Sequence, residues 1–197
     1  MAFCELIKLL GKGEIMKSAN FSDSHVSEFC SSLSKNLPIK VVCNPQYLEN
    51  ENECFQLVQN KINEFGGTMV TGWAIWEKVG VFIEAEFHAV WLNHNGEYVD
   101  LNSRRNISNC QSILFVPDEE TKYTDQQINN IRKPLINDSI VMSFLHLNNK
   151  LFEFMNRGER AHQHGEIQLS KREQKEYKKL MLEIGKLEKK IDTKYPV

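Results

Sequence analysis

The sequence Glu84-Ala85-Glu86-Phe87-His88-Ala89-Val90-Trp91 alternates in polarity with a period of two residues. Successive side chains of a β-strand point to opposite faces of the sheet, so the ionisable residues share one face and the apolar residues share the other. The apolar face is predicted to pack on a core. The ionisable face, which includes His88, forms either a wet outer surface or the wall of a cleft.

The strand is followed by His94-Asn95-Gly96, which is typical of a three-residue hairpin loop with Gly96 in the left-handed conformation. In that register His88 lies opposite Asn102, and Asp100 becomes its diagonal neighbour within reach of a hydrogen bond. A two-residue loop would place Asp100 on the other face of the sheet. The register therefore determines whether His88 and Asp100 can meet.

A helix is predicted upstream of this block, with Asn52 as its N-cap and Gly66-Gly67 at its end. Cys54 falls in the first turn of this helix. Main-chain N–H groups and the positive end of the helix dipole would stabilise a thiolate there, and the same groups could hold an oxyanion. Cys54 is therefore a candidate nucleophile. A small buried cysteine that only packs on the sheet would give the same pattern.

The residues Cys54, His88 and Asp100 follow one another as nucleophile, base and acid. In such a triad the carboxylate orients the imidazole, the imidazole takes the thiol proton, and the thiolate attacks an acyl carbon. The sequence predicts thiol-dependent acyl chemistry on a protein or peptide amide: hydrolysis, deamidation or acyl transfer, without a cofactor. Gln46 or the N–H groups around Cys54 would form the oxyanion site. Asn102 would orient the ring if the register shifted.

The order of these elements resembles the transglutaminase-like branch of the papain-like cysteine enzymes. In that superfamily a Cys-bearing helix is followed by strands that carry His and then Asp. The matching segments here are His88-Ala89-Val90-Trp91 and Tyr98-Val99-Asp100-Leu101-Asn102, and the resemblance covers residues 52–102. It implies a papain-like core with Cys54, His88 and Asp100 as the catalytic residues.

Two tryptophans lie on a neighbouring strand predicted from Thr68 to Trp76. Trp73 and Trp76 are separated by an odd number of positions, so they face opposite ways on a strand. One is expected to enter the core, and the other to line a substrate groove with Glu86 or to cover the sheet edge.

A divalent metal site is an alternative use of the ionisable face. Glu84, Glu86 and His88 could ligate a metal ion, with further nitrogens from His162 and His164. The set lacks a convincing fourth ligand, and a catalytic histidine should stay free of metal. We therefore predict no metal at this position.

The remaining patterns predict an α+β fold, with helices packed on one side of an antiparallel sheet and a long C-terminal helix. Residues 1–156 would form a single domain around a core block at 50–118, and residues 157–197 a polar connector and an amphipathic helix. Further elements are predicted as follows: a helix capped by Ser22-Asp23, strands at 39–43, 81–93, 97–101 and 112–116, a short helix from Thr124 to Pro134, and a helix at 140–155.

The C-terminal helix is predicted from a capping box, Ser170-Lys171-Arg172-Glu173. Its apolar residues recur in alternating steps of three and four; they are Tyr177, Leu180, Ile184, Leu187 and Ile191. Such a seam docks on the domain or pairs with a second copy of the chain as a homodimer. A non-catalytic interaction protein that uses this seam is therefore the second functional hypothesis.

The composition excludes several classes of partner and compartment. A net charge of -2 over 197 residues gives no reason to expect nucleic acid or an anionic membrane as partner. The N-terminus has an early Glu5 and no long apolar run, unlike a secretory signal. The 5 cysteines are odd in number and show no Cys-x-x-Cys spacing, which favours reduced thiols in a cytoplasm.

Overall fold

The computed structural model describes residues 16–45, 54–103, 110–163 and 167–196. Within these ranges the chain forms helices and strands in an α+β fold, which confirms the predicted class and the long C-terminal helix. The helices are α1 (Ser24–Leu33), α2 (Cys54–Phe65), α3 (Ser139–Met155) and α4 (Lys171–Lys194), with a short 3-10 helix at Gly158–His162. The strands are β1 (Lys17–Ser18), β2 (Ile39–Cys43), β3 (Thr68–Lys78), β4 (Phe82–Leu92), β5 (Tyr98–Asp100), β6 (Ser112–Pro117) and β7 (Ile131–Pro134).

A long antiparallel hairpin, β3–β4, supports the rest of the sheet. Its two strands are 11 residues each and pair over their full length. Both are rich in β-branched and aromatic residues, which suit a pleated surface. The turn between them is closed by the N–H of Val81, which donates to the carbonyl of Lys78 at 2.8 Å, and Gly80 adopts a φ of 69°. Glycine adopts this φ without strain, so it fixes the turn and hence the register.

The strands close on themselves. β3 pairs with β4 along one edge and with β6 along the other; β6 pairs with β2, β2 with β5, and β5 with β4. The result is a small barrel, to which β1 and β7 are added at the edges of β3 and β4. The β2–β5 pair is parallel, so the predicted antiparallel sheet is wrong at this point. A parallel contact between strands far apart in sequence leaves no periodic signal.

Both faces of β4 are buried in its central part. Phe87 and Ala89 face outward and are covered by α1 and α2. Val90 faces inward, in a cluster of strand residues that includes Phe115. His88 lies on this inner face and is fully buried. The expectation of a wet outer surface at His88 is therefore wrong, because strand closure places that side chain inside the barrel.

The glycine opposite His88 permits this closure. Gly72 pairs with His88 in the hairpin. A Cβ at Gly72 would lie 2.2 Å from the carbonyl oxygen of Val116 and 2.8 Å from Cζ of Phe115. Any side chain would therefore push β6 away from β3 beside the buried histidine.

The helices α3 and α4 pack against each other beside the barrel. α3 begins where the Asp138 side chain accepts hydrogen bonds from the N–H groups of Ile140 and Val141. α4 begins at the predicted capping box of Ser170 and Glu173, which is confirmed. In the connector before α4, the buried Arg160 forms an ion pair with Glu173.

The apolar seam of α4 is buried on its own chain. Ile184 and the adjacent Met181 pack on the end of α3, with Phe154 among their neighbours. Ile191 packs against the start of β4 at Phe82. The seam thus has a partner within the chain, and nothing in this packing favours the predicted homodimer or an interaction role for the helix.

One predicted element is wrong. The segment from Thr124 to Asn130 is not helical, and residues Ile131–Pro134 form strand β7, which pairs with β4. Asp125 adopts a φ of 62°, which is incompatible with the first turn of a helix. Pro134 is accommodated because β7 lies at an edge, where its missing N–H costs no hydrogen bond.

None of the helices in the described part of the chain is long and apolar enough to span a lipid bilayer.

Candidate functional site

The loop after β4 brings two ionisable side chains together. The N–H of Asn93 donates to the carbonyl of Glu97 at 3.0 Å, and Gly96 adopts a φ of 80°. Trp91 pairs with Val99 in the adjoining strands. This is the predicted three-residue loop and register, and both are confirmed.

His88 and Asp100 form a hydrogen-bonded pair in the interior. Nε2 of His88 lies 2.9 Å from Oδ1 of Asp100, and both side chains are 0% exposed. The N–H of Asn102 also donates to Oδ1 of Asp100, at 3.0 Å. The carboxylate therefore holds the imidazole in one orientation, and it is itself held by the main chain that follows it. Asn102 supports Asp100 through its main chain rather than replacing it.

The charge state of His88 is set by its neighbours. Burial alone would lower its pKa, because a low-dielectric surrounding disfavours the charged ring. The negative charges of Asp100 and Cys54 act in the opposite direction and prevail, so that the pKa of His88 is raised to about 10. The carboxylate of Asp100 therefore favours the charged form of the ring once it has taken up a proton.

Cys54 reaches this pair from the start of α2. It is the first residue of the helix and is partly buried in a cluster that includes Ala89 and Leu101. The far end of the helix is tied to the barrel by Trp91, whose Nε1 donates to the carbonyl of Gly66 at 2.9 Å. The helix therefore starts, rather than ends, beside the histidine, as the sequence predicts. Its proposed cap, Asn52, lies outside the described residues, as does Gln46.

One nitrogen of His88 is left for the thiol. With Asp100 ionised, Nε2 carries the proton that it donates to Oδ1. Nδ1 is buried and makes no well-formed hydrogen bond within the described ranges. Cys54 is nevertheless close enough to raise the pKa of the ring. Loose contacts of this kind are common in catalytic sites without substrate, where they tighten on binding.

Two further polar side chains lie at the site, of which Asn102 is predicted from the sequence and Ser103 is not. Asn102 and Ser103 are each 4% exposed, and their side-chain oxygens have no hydrogen-bond partner among the residues described. On the other side of Asp100, Sγ of Cys43 lies 3.9 Å from Oδ2. Cys43 is next to Asp100 because β2 and β5 pair in parallel. That contact crosses the barrel closure, so no local pattern could have predicted it.

The residues predicted to line a groove are placed differently. Trp73 and Trp76 face opposite ways, as expected, but each is 4% exposed. Nε1 of Trp73 donates to Asp118 at 2.9 Å, and Nε1 of Trp76 donates to Glu86 at 2.8 Å. Both indoles serve the packing of the barrel, and this placement does not support a groove formed by Trp73, Trp76 and Glu86.

The metal alternative also lacks support. Arg132 forms an ion pair with Glu84, Trp76 donates to Glu86, and Asp100 binds His88. Each side chain of the proposed ligand set is thus engaged by a protein partner. In the ranges that the structure describes, no group of three or more His, Cys, Asp or Glu side chains is arranged to hold a metal ion. His162 contacts Gln126, and His164 lies outside those ranges.

Comparisons with protein-family models, with curated proteins and with solved structures found no match to this chain. The candidate site is therefore defined by the positions of Cys54, His88 and Asp100 in this structure.

Proposed function

We propose that the chain is a thiol-dependent enzyme of the papain-like, transglutaminase-like type that cleaves or transfers an acyl group at a protein or peptide amide. The observation that supports this most directly is the fully buried His88–Asp100 hydrogen bond, whose imidazole also interacts with Cys54. Cys54, His88 and Asp100 lie on three different elements, and they are of the residue types that acyl transfer requires as nucleophile, base and orienting acid.

The chemistry follows from the exposure of the three groups. Cys54 is only partly buried, whereas His88 and Asp100 are fully buried, so we assign the attack on the substrate to Cys54, with His88 next to it as the proton carrier. Nδ1 of His88 takes the thiol proton, and the thiolate attacks the carbonyl carbon of the amide. The proton then passes from Nδ1 to the leaving nitrogen as the C–N bond breaks. Water or an amine, deprotonated by His88, releases the acyl group from the thioester.

The oxyanion formed in the attack needs hydrogen-bond donors. N–H groups in the first turn of a helix generally lack intrahelical partners, and Cys54 is at the start of α2 as the structure describes it. The N–H groups of this turn are the proposed donors, and Gln46 is the second choice. Because a thiolate nucleophile must stay reduced, we place the activity in a reducing compartment, the cytoplasm.

An activated ester tests the proposal without knowledge of the natural substrate. With p-nitrophenyl acetate, we expect a burst of about one p-nitrophenol per chain and an acetyl group on Cys54, located by peptide mass mapping. Cys54→Ala should abolish the burst while retaining the fold. The control is Cys30→Ala, which removes a buried thiol whose pKa is raised to about 11 by burial.

The contrary result would be wild-type protein that shows no burst, or acetyl groups spread over surface lysines with Cys54 unmodified. Either would leave Cys54 as a packing residue of α2 and would remove the basis for the enzyme.

A further inference from the structure

A second thiol pair lies beside Asp100. His88 binds Oδ1 of this carboxylate, whereas Sγ of Cys43 lies 3.9 Å from Oδ2. The same sulfur is 3.8 Å from Sγ of Cys110. Cys110, in turn, can donate a weak hydrogen bond to the carbonyl of Ser112, 3.5 Å away. The two thiols and the carboxylate therefore form one contact chain that ends at the proposed catalytic histidine.

The two sulfurs are close enough to be joined by small side-chain movements. A disulfide requires a separation of about 2.05 Å, and the present 3.8 Å can be closed by rotations at both residues. Both cysteines are partly exposed, unlike Cys30, which is 1% exposed. Main-chain atoms near the pair are fixed by the hydrogen bond from the N–H of Cys43 to the carbonyl of Gln111, at 2.9 Å. The sheet thus holds the two thiols near each other.

We propose that Cys43 and Cys110 are a reversible dithiol–disulfide site that reacts with a low-molecular-weight disulfide such as oxidised glutathione. The thiolate of one cysteine attacks a sulfur of the small disulfide, forms a mixed disulfide and releases one thiol. The thiolate of the second cysteine attacks the protein sulfur of this mixed disulfide and releases the other thiol. Two protein thiols are oxidised, one small disulfide is reduced to two thiols, and the protein protons pass to solvent and to the released thiolates.

The disulfide would act on the proposed active site, and this part of the inference rests on the proposed function. Oxidation removes the S–H group that faces Oδ2 of Asp100 and draws Sγ of Cys43 towards Cys110. Asp100 then loses a weak hydrogen-bond donor and part of its packing, so it orients His88 less well. The covalent loop would also enclose Cys54, His88 and Asp100, since all three lie between Cys43 and Cys110 in the sequence.

Peptide mapping of the full chain tests the pair. Protein equilibrated with an excess of oxidised over reduced glutathione is blocked with N-ethylmaleimide, digested without reduction and analysed by mass spectrometry. Trypsin leaves Cys43 and Cys54 in one peptide, so a second digestion after Glu49, Glu51 and Glu53 is needed to separate them. We expect a Cys43–Cys110 cross-link that dithiothreitol removes. It should be absent in Cys43→Ser and Cys110→Ser but retained in Cys30→Ala.

Glutathione adducts on wild-type protein without a cross-link, or a cross-link through Cys54, would overturn the proposal even if the variants failed to fold. The effect of the Cys43–Cys110 disulfide on the proposed active site is measured as the rate at which iodoacetamide alkylates Cys54. This rate should fall by about twofold or more in the oxidised protein, because Asp100 loses one weak hydrogen bond. An unchanged rate in cross-linked protein would contradict the coupling. A cross-link in a protein whose Cys54 is not acetylated by p-nitrophenyl acetate would leave the disulfide site standing and remove the proposed enzyme.

Discussion

Buried charge occurs in two regions of this molecule, and the two are built differently. In the barrel, His88 and Asp100 are both 0% exposed, and Cys54 at the start of α2 interacts with His88. Where α4 docks on the sheet, Lys78 pairs with Asp192 at 2.8 Å, with side chains 3% and 35% exposed, and Glu188 is buried beside them. The first region contains the proposed nucleophile, base and acid. The second region has no comparable nucleophile among its described residues, and it holds α4 against the sheet.

This difference shows why buried charge alone is a poor guide to function. Burial raises the pKa of Glu188 to about 7, and Asp192 adds to the effect. Such a perturbed group would be a candidate catalytic acid in a cleft. Here its neighbours are lysines and an aspartate on the docking surface, and the side chain serves the contact between α4 and the barrel. The type and order of the neighbouring groups distinguish the two regions.

The largest expected change in the free energy of unfolding comes from removing the acid of the barrel ion pair. Removing the acid of the Lys78–Asp192 pair is the comparison. Asp100→Asn should lower the free energy of unfolding by about 3–5 kcal/mol near pH 6, because it leaves His88 without its charge partner in the interior. The matched variant, Asp192→Asn, should cost less, about 1–2 kcal/mol, since the carboxylate of Asp192 is partly exposed and Glu188 still lies beside the buried Lys78. Urea unfolding of both variants measures the difference.

The cost of Asp100→Asn should also depend on pH. Because the pKa of His88 is raised from 6.5 to about 10, the stability that its charge contributes is fully present below pH 6.5 and is lost as the pH rises through 10. The loss of unfolding free energy caused by Asp100→Asn should therefore become smaller as the pH rises from 6.5 to about 10. Equal costs for the two variants at every pH would show that the barrel pair contributes no more to stability than the partly exposed Lys78–Asp192 pair.

A smaller change in the free energy of unfolding is expected when Glu188 is replaced. Its raised pKa means that the stability associated with this carboxyl is present below about pH 4.5 and is lost as the pH rises through 7. Glu188→Gln should therefore stabilise the protein by about 1–3 kcal/mol above pH 7 and have little effect near pH 4.5. Glu183→Gln, which removes the same charge from α4, is the control. A destabilised Glu188→Gln protein at pH 8 would contradict this account of the docking surface.

Local signals in the sequence predicted the elements that form locally. The loop His94-Asn95-Gly96 gave the correct register of β4 and β5, because turn chemistry fixes hairpin pairing. The capping box at Ser170 gave the correct start of α4. The similar pattern at Thr124 failed, since no amphipathic stripe follows it and the chain instead adds a strand to an open edge of β4.

Contacts between distant segments could not be predicted. The closure of the barrel depends on the parallel β2–β5 pair, and it places His88 in the interior and Cys43 beside Asp100. The alternation of β4 identified the face that carries His88, but it could not show that this face is enclosed. The candidate triad could be predicted because Cys54, His88 and Asp100 lie on α2, β4 and β5, which are close together in the chain.

The central claim is that His88 keeps Cys54 reactive, and the alkylation rate of Cys54 tests it most directly. The rate constant for iodoacetamide at this one cysteine can be followed by peptide mass mapping at pH 6 in wild type and in His88→Gln. We expect the wild-type thiol to react faster by on the order of tenfold or more, because only the wild-type imidazolium stabilises the thiolate. Equal rates in two folded proteins would show that Cys54 and His88 do not act together and would contradict the account.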